Sequence, residues 1–304
     1  MVESRKYPPG HRKLIFTADD FGLSPALNAA VGLAHRYGVL TAASLMVAGP
    51  ACREAVALAR QLPDLCLGLH LTLIQGKAVL PCGEIPHLVD AQGNFPTRPV
   101  KTGWYYYCQP RVLPEIRREL AAQIEAALNH GLSLWHLNSH LNLHLHPKIL
   151  PIVVALAREY GIPAVRLPRE DWRTTLRLAP DHPFPKVAQG IIFVWLTKKA
   201  HALAQAAGLL TNDHFFGLTN DGRMNEGHLL KLLPRLKPGL TEICCHPALY
   251  PAPELRRWAP GYQRQAELAA LTSPRLKALI AATGLQLTDF KRKKLFSGKS
   301  SGSA

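Results

Sequence analysis

The sequence predicts an α/β protein, a single-domain (β/α) barrel, regular or distorted and incomplete, with mainly parallel strands. Three observations lead to this prediction. The chain has 304 residues, 47% of them apolar, which is enough to bury the core of one large domain. Short apolar segments alternate with segments of helical periodicity, as is typical of a parallel sheet. Polar side chains also follow the apolar part of several predicted strands.

The predicted elements follow one another along the chain. The strand segments are KLIFTADD, LTAASLMVAG, CLGLHLTL, LSLWHLNSH, AVRLPRE and TEICCHP. The helical segments include ALNAAVGLAHRYG, CREAVALARQL, LPEIRRELAAQIEAALNHG and KILPIVVALAREYG, and several end at the glycine expected after a helix. No linker or internal repeat divides them. We therefore expect one domain over residues 1–290 and a basic Gly/Ser-rich tail over residues 291–304.

The formal net charge of +15 favours an anionic partner without identifying it. No helix-turn-helix or RNA-binding signature is present, so we expect no nucleic-acid partner. The basic tail is expected to be solvated, with contact to an anionic membrane as the alternative. Because the chain shows no signal-peptide core, no long apolar segment and six cysteines without CxxC spacing, we expect a cytoplasmic protein. Its oligomeric state is left open.

Polar residues at the ends of the predicted strands are the candidate functional residues. They are Asp19, Asp20, His70, His136, His140, Arg166 and His246. In a (β/α) barrel the carboxyl ends of the strands meet at one mouth, where active sites are built from several strands. Residues distant in sequence are therefore expected to share one pocket.

One carboxylate and two imidazoles with open positions suit a divalent metal, with zinc favoured and magnesium as the alternative. Side chains alternate along a strand, so Asp19 and Asp20 should divide the work, one binding metal and one acting as a base. Alternatively, an Asp in this segment only caps the helix that begins near Ser24. His70, taken alone, is more typical of a hydrogen-bonded histidine of the core. The histidine-rich segment WHLNSHLNLHLHP favours the metal or catalytic interpretation, because four neutral imidazoles would need several buried partners.

Taken together, these motifs resemble the YdjC-like (ChbG-like) carbohydrate deacetylase family. The matching segments, in the family's order, are TADDFGLSP, GVLTAASLMV, LGLHLTL, WHLNSHLNLHLHP and TEICCHPAL. They cover roughly Lys13 to Phe290. The segments VRLPRE and NDHFFGL make the chain similar to the hopanoid-biosynthesis-associated branch, HpnK, which acts on a lipid-linked amino sugar.

The resemblance implies a metal-dependent N-deacetylase and assigns roles to individual positions. Asp19 becomes the general base, and His246 becomes the acid that protonates the departing amine. Asp20, His70 and His140 become the metal ligands. Arg166 is expected to orient Asp19.

Other positions are expected to contact the substrate: Asn138, His144, Trp104 and Tyr106. Asn138 stands where most family members have Asp, so the chain lacks an anionic partner for the metal-bound histidine. We interpret this change as variation in substrate class. The substrate implied is an N-acetylglucosamine joined to a hopanoid. The alternatives are a chitooligosaccharide deacetylase, another mononuclear metal hydrolase such as a phosphoesterase, or a non-catalytic binder of anionic lipid or nucleic acid.

Two segments that contain aromatic residues each have two possible roles. The segment Pro185 to Gly208 places Phe193 and Trp195 among apolar residues flanked by lysines, which suits a helix at a membrane interface. A buried barrel helix with basic ends is the favoured interpretation. The segment KTGWYYYCQPR either lines a sugar or lipid groove or packs on the barrel rim.

Overall fold

The structure is a computed structural model that describes residues 11–181, 183–256 and 259–292. The predicted tail lies outside the described residues except for its first two positions. The strands are β1 (Arg12–Phe21), β2 (Ala42–Leu45), β3 (Cys66–Leu71), β4 (Leu137–Ser139), β5 (His214–Phe216), β6 (Gly239–Cys245) and β7 (Gln286–Leu287). The helices are α1 (Pro25–Tyr37), α2 (Cys52–Arg60), α3 (Pro99–Cys108), α4 (Val112–Asn129), α5 (Leu150–Glu159), α6 (Trp172–Leu178), α7 (Pro183–Ala206), α8 (Glu226–Leu232), α9 (Pro253–Arg256), α10 (Arg264–Leu271) and α11 (Pro274–Thr283).

The strands form one parallel sheet in the order β4-β3-β2-β1-β6-β5, and β7 also pairs with β1. The sheet curls into a barrel whose remaining side is an irregular segment, residues 164–170. Val165 bridges to Leu137 of β4, and Glu170 bridges to Phe215 of β5. The prediction of a distorted, mainly parallel (β/α) barrel is confirmed.

The central strand β1 shows why the sheet forms from these sequences. Its residues Leu14, Ile15, Phe16 and Ala18 are all fully buried, on both faces of the sheet. Parallel strands covered on both sides are near-continuous apolar segments for this reason. At the carboxyl end of β1 the chain turns into α1, where Ser24 caps the helix by accepting a hydrogen bond from the backbone N–H of Leu27.

The structure corrects two expectations about elements. The predicted strand AVRLPRE, residues 164–170, makes only isolated bridges, because Pro168 has no N–H to continue a ladder. The favoured interpretation of the Pro185–Gly208 segment as a buried helix is wrong. It forms most of α7, and several of its large apolar side chains face solvent. No helix in the described part of the chain is long and apolar enough to cross a membrane.

Candidate active site

The backbone at the end of β1 separates the two adjacent aspartates. Asp20 has a left-handed backbone, with φ of 61°, and the pairing of β1 with β2 shifts register between Ala18 and Phe21. Left-handed geometry is uncommon for a residue with a side chain and is tolerated best by Asp, Asn and Gly. This turn directs the two carboxylates into different surroundings, as the alternation argument predicts.

The three predicted metal ligands lie together at the mouth of the barrel. Oδ1 of Asp20 is 3.4 Å from Nε2 of His70 and 3.3 Å from Nδ1 of His140. This oxygen is buried and has no hydrogen-bond partner among the described residues. A buried anionic oxygen without a partner is costly, and a cation held by one carboxylate and two imidazoles would compensate it. The donor set therefore fits a divalent metal ion.

Gln75 orients the imidazole of His140 toward Asp20. Nε2 of His140 lies 3.1 Å from Oε1 of Gln75, so its proton is donated there and Nδ1 is left for the metal. Leu141 and Asn142, which follow His140, both have left-handed backbones, with φ of 53° and 54°. This tight turn lies within the His140–Leu145 segment, which packs against β3 and β4.

The amide of Asn138 fits two orientations. In one, its nitrogen donates to Nδ1 of His70, at 2.8 Å, and its oxygen accepts from Arg166 and Ser44. In the other, its oxygen accepts the Nδ1–H of His70, at 2.8 Å, and its nitrogen donates to Ser44 and Asp19. Coordination through Nε2 of His70 requires the proton on Nδ1. A metal held through Nε2 of His70 would therefore favour the second orientation.

Asp19 is held by a buried arginine. Nη1 and Nη2 of Arg166 lie 2.5 and 2.9 Å from the two oxygens of Asp19, in a bidentate pair. The same guanidinium donates to Oε1 of Glu242 from Nε and Nη2, at 3.0 and 2.8 Å. Burial raises the pKa of Asp19, but the charge and hydrogen bonds of Arg166, together with the charges of His70 and His246, outweigh burial and hold this pKa well below its usual range. Asp19 is therefore a fixed anion beside the predicted metal site.

The predicted acid, His246, belongs to a second polar group. Its Nδ1 lies 3.2 Å from Oδ1 of Asp221, and the other oxygen of Asp221 accepts a hydrogen bond from Tyr262. Burial lowers the pKa of His246 to about 4. Burial of Oδ1 also raises the pKa of Asp221 well above its usual range, against the hydrogen bond from Tyr262. Nδ1 and Oδ1 are both buried without another hydrogen-bond partner among the described residues, so one proton between them would satisfy both atoms.

The backbone around His246 is anchored by Glu267 and Arg264 of α10. Glu267 accepts hydrogen bonds from the backbone N–H groups of His246 and Met224, at 2.5 and 2.8 Å. Arg264 donates to the carbonyl of His246, and its other terminal nitrogen lies 3.7 Å from Asp20. Helix α10 thus connects the His246 group to the predicted metal ligands.

A second cluster of ligand atoms consists of Asp19, Cys244 and His246. It suits a metal poorly, because Asp19 is already paired with the Arg166 cation. Burial also raises the pKa of the Cys244 thiol well above its usual range, and the thiolate is the form that binds metals. A two-metal phosphoesterase site is therefore disfavoured among the described residues.

His144 and Tyr106, two of the residues expected to contact the substrate, lie outside the predicted metal cluster. Both ring nitrogens of His144 are used within the protein, by Ser139 and by the carbonyl of Arg166, each at 2.9 Å. Tyr106 is fully buried and donates its hydroxyl to the carbonyl of Leu73. These two side chains support the surrounding structure and offer no free face to a substrate here.

His136 is a core residue. It is fully buried with Nε2 3.1 Å from Oγ of Ser44, and burial lowers its pKa to about 3. A Cβ on Gly68 would lie 2.4 Å from the His136 ring, so the glycine of the LGLHL segment makes room for it. Of the four histidines in the histidine-rich segment, the structure brings only His140 into the metal cluster.

A cleft of about 580 Å³ opens beside the site. It is lined by Thr72, Gln75, Asn94 and Phe95, among others. Gln75 also contacts His140, so the cleft adjoins the predicted metal cluster. Trp104 is exposed on α3 and stacks on Tyr107, with ring centroids 6.1 Å apart.

Sequence reasoning missed several residues that shape the site: Gln75, Asp221, Glu242, Tyr262, Arg264 and Glu267. Glu242 sits within the apolar strand segment TEICC, where an isolated acid is a detectable signal for a buried ion pair. The others lie in loops or on helices and have no spacing pattern that connects them to the strand ends.

Comparisons with known proteins identify the family. The model of the YdjC-like protein family matches residues 13–282. The chain belongs to this family. A carbohydrate deacetylase from Geobacillus stearothermophilus is 32% identical over 281 residues, which are 92% of this chain and 97% of that protein. Another YdjC-like relative, a carbohydrate deacetylase from Vibrio cholerae, is 35% identical over 284 residues, covering 91% and 95%.

A solved structure has a similar fold over nearly its whole length. It is a protein from Enterococcus faecalis V583 described as a cellobiose-phosphate cleavage protein, with a TM-score of 0.74 and 30% sequence identity. The match covers 93% of this chain and 99% of that one. The YdjC-like assignment made from the motifs is thus confirmed, and the enzyme class predicted is the class in which the curated relatives are named.

Proposed function

We propose that this protein is a carbohydrate N-deacetylase that hydrolyses the acetamide of an N-acetylglucosamine moiety and needs one divalent metal ion, zinc being favoured. The observation that carries the proposal is the buried, unpartnered oxygen of Asp20 facing His70 and His140. Asp19 lies next to it in the chain, and the curated relatives are named carbohydrate deacetylases. This combination supports metal-assisted amide hydrolysis better than binding without catalysis.

Asp20, His70 and His140 would hold the metal. When bound, the metal polarises the acetamide carbonyl and acidifies the attacking water. Asp19 accepts the proton of that water. Because Arg166 lowers the pKa of Asp19, this carboxylate is a weak base and depends on the water being acidified.

The departing nitrogen must be protonated, since an amide nitrogen leaves poorly as an anion. Nε2 of His246 is the donor in this proposal. Asp221 fixes Nδ1 on the opposite side of the ring, so the shared proton of the pair can support the transfer. A positioned acid of this kind contributes about two to four orders of magnitude in rate.

The finer proposal concerns the substrate. We propose that the N-acetylglucosamine is joined to a hopanoid, as the resemblance to the HpnK branch implies, with chitooligosaccharides as the alternative. The replacement of the family's Asp by Asn138 supports a change in substrate class. A hopanoid-linked sugar is held in a bilayer, so the enzyme would act at the inner face of an anionic membrane.

The test measures, by mass spectrometry, whether the zinc-loaded protein releases acetate from each of two substrates. N-acetylglucosaminyl hopanoid in vesicles and diacetylchitobiose are offered separately. Asp19→Asn and His140→Ala should each abolish activity. His146→Ala is the matched control, because that imidazole lies outside the cluster and bonds the carbonyl of Gly103.

Each outcome decides a different part of the proposal. Release from the hopanoid, lost in both site variants and kept in the control, would support reaction, site and substrate together. Release from diacetylchitobiose alone would reject the hopanoid and keep the reaction. Zinc binding without release from either substrate would reject the deacetylase proposal.

A further inference from the structure

We propose that the solvent-facing side of α7 docks the protein on an anionic membrane surface, next to the segment that carries His140. Docking would bring the enzyme to a lipid-linked substrate, and this role rests on the proposed function. The docking itself depends only on α7 and its surroundings.

In α7 most of the large apolar side chains face solvent, whereas in an ordinary amphipathic helix they face the core. Apart from Lys186, its buried residues are small: Gly190, Thr197, Ala200 and Ala204. Phe193 and Leu203 pack partly buried against the core. Five other large apolar residues face solvent: Phe184 is 86% exposed, Ile191 60%, Ile192 56%, Trp195 53% and Val194 50%. A contiguous apolar face of this kind on a water-exposed helix marks a contact with a partner or a membrane.

This face lies beside the predicted metal site. Helix α7 packs against the His140–Leu145 segment, in which Leu141 is also exposed. Helix α3 reaches the same region, because His146 bonds the carbonyl of Gly103 at 3.1 Å. The exposed pair of Trp104 and Tyr107 on α3 lies near the same segment, because the ring of Tyr107 contacts that of His146. A membrane on this side would therefore lie near the mouth of the barrel.

The charges around the face favour an anionic surface. Neither α7 nor α3 contains an acidic residue. Lys198 and Lys199 are exposed in the turn after Trp195, and Nζ of Lys199 lies 4.0 Å from the centroid of a Trp195 ring. Aromatic residues beside lysines are typical of helices at a membrane interface, where lysine stems lie along apolar groups and their charges meet lipid headgroups.

A second copy of the chain is the competing occupant of this face. Each copy has a formal net charge of +15, so two copies repel one another at long range, whereas an anionic bilayer attracts each of them. We therefore assign the face to the membrane surface.

The experiment is sedimentation of the full-length protein with vesicles of phosphatidylcholine, alone or mixed with phosphatidylglycerol. The wild type should bind the mixed vesicles more strongly. The double variant Ile191→Asp/Trp195→Asp should lose at least about tenfold in binding. Lys198→Ala/Lys199→Ala should lose about fivefold per lysine on mixed vesicles only. Tyr37→Asp is the matched control, since Tyr37 is an exposed aromatic at the far end of α1, and it should bind like the wild type.

A second readout separates docking from catalysis. The Ile191→Asp/Trp195→Asp variant should keep wild-type hydrolysis of diacetylchitobiose in solution and lose hydrolysis of N-acetylglucosaminyl hopanoid in vesicles. Vesicle binding by a wild type that hydrolyses neither substrate would reject the proposed function and leave the docking surface standing.

Three results would overturn the docking proposal. The first is that the wild type binds neither vesicle type. The second is that the Ile191→Asp/Trp195→Asp variant binds vesicles as strongly as the wild type. The third is that the wild type is a dimer in analytical ultracentrifugation and this variant is a monomer. The last result would assign the face to contact between copies.

Discussion

At the residue scale, the proposed mechanism makes Asp221 the group that determines whether His246 has a proton to give. The Asp221 side chain is 35% exposed, but its Oδ1 is buried 3.2 Å from Nδ1 of His246. In Asp221→Asn the amide cannot share a proton, and His246 alone, with its pKa lowered to about 4, is neutral at pH 7. We expect kcat to fall at least about tenfold at pH 7 and the pH optimum to move to lower pH.

The measurement is the pH profile of kcat together with calorimetric titration of zinc. Zinc affinity should be unchanged, because Asp221 is not one of the predicted ligands. Glu159→Gln removes an exposed carboxylate that pairs with Arg117 on the surface, and it serves as the control. A wild-type profile in Asp221→Asn would contradict the positioning role.

The residues that sequence reasoning found and missed differ in a physical way. Asp20, His70 and His140 follow apolar strand segments, so parallel topology alone brings them together. Gln75 and Asp221 enter the site from loops whose course depends on tertiary packing. The left-handed turn at Asp20 was also outside the reach of pattern analysis, because neither strand periodicity nor composition requires it.

At the scale of elements, the buried Arg166 joins the irregular segment 164–170 to β1 and β6. Its guanidinium contacts Asp19 of β1 and Glu242 of β6, and Thr17 also donates to Glu242 at 2.7 Å. Glu242→Gln weakens the hydrogen bonds that Arg166 and Thr17 donate to this carboxylate, while Asp19 still neutralises the guanidinium. We expect it to reduce the free energy of unfolding by about 2 kcal/mol, the contribution of hydrogen bonds to a charged group.

Urea denaturation of the metal-free protein measures this loss. The control is Glu159→Gln, which breaks the exposed pair between Arg117 and Glu159 and should cost less than about 1 kcal/mol. Equal costs for the two variants would show that Glu242 does not secure the irregular segment.

Two elements mark the limit of prediction from sequence. Hydropathy describes the composition of α7 but not which of its faces the barrel covers, so its small residues could not be recognised as the packed side. In the segment 164–170, the apolar residues Val165 and Leu167 indicate a strand, yet Pro168 interrupts the ladder. Strands β1, β3 and β6 were predictable because short, mostly apolar segments are typical of parallel strands covered on both faces.

At the scale of the whole molecule, the free energy of unfolding depends on pH, because folding buries ionisable groups from many elements and shifts their pKa values. Burial lowers the pKa of four histidines to about 3 or 4, namely His136, His144, His228 and His246. The unfolded chain protonates histidine near pH 6.5, so unfolding takes up protons below that pH. Glu267, whose pKa burial raises to about 7, and Asp221 act in the opposite direction.

The balance of these groups predicts acid sensitivity. Burial also lowers the pKa values of His70 and His146 and raises those of Glu119 and Glu170, and these two pairs oppose each other. The other four histidines and two carboxyls leave a net uptake of about two protons on unfolding, which corresponds to about 3 kcal/mol per pH unit between pH 6 and 5. The metal-free protein should therefore lose stability as the pH falls through this range, measured by urea denaturation at each pH. His228→Gln, on α8 and outside the candidate site, should reduce the slope by about one proton, or about 1.4 kcal/mol per pH unit. Stability that stays constant or rises on acidification would show that these imidazoles are protonated in the folded protein, and that the buried polar groups around the barrel mouth are less shielded from water than their packing indicates.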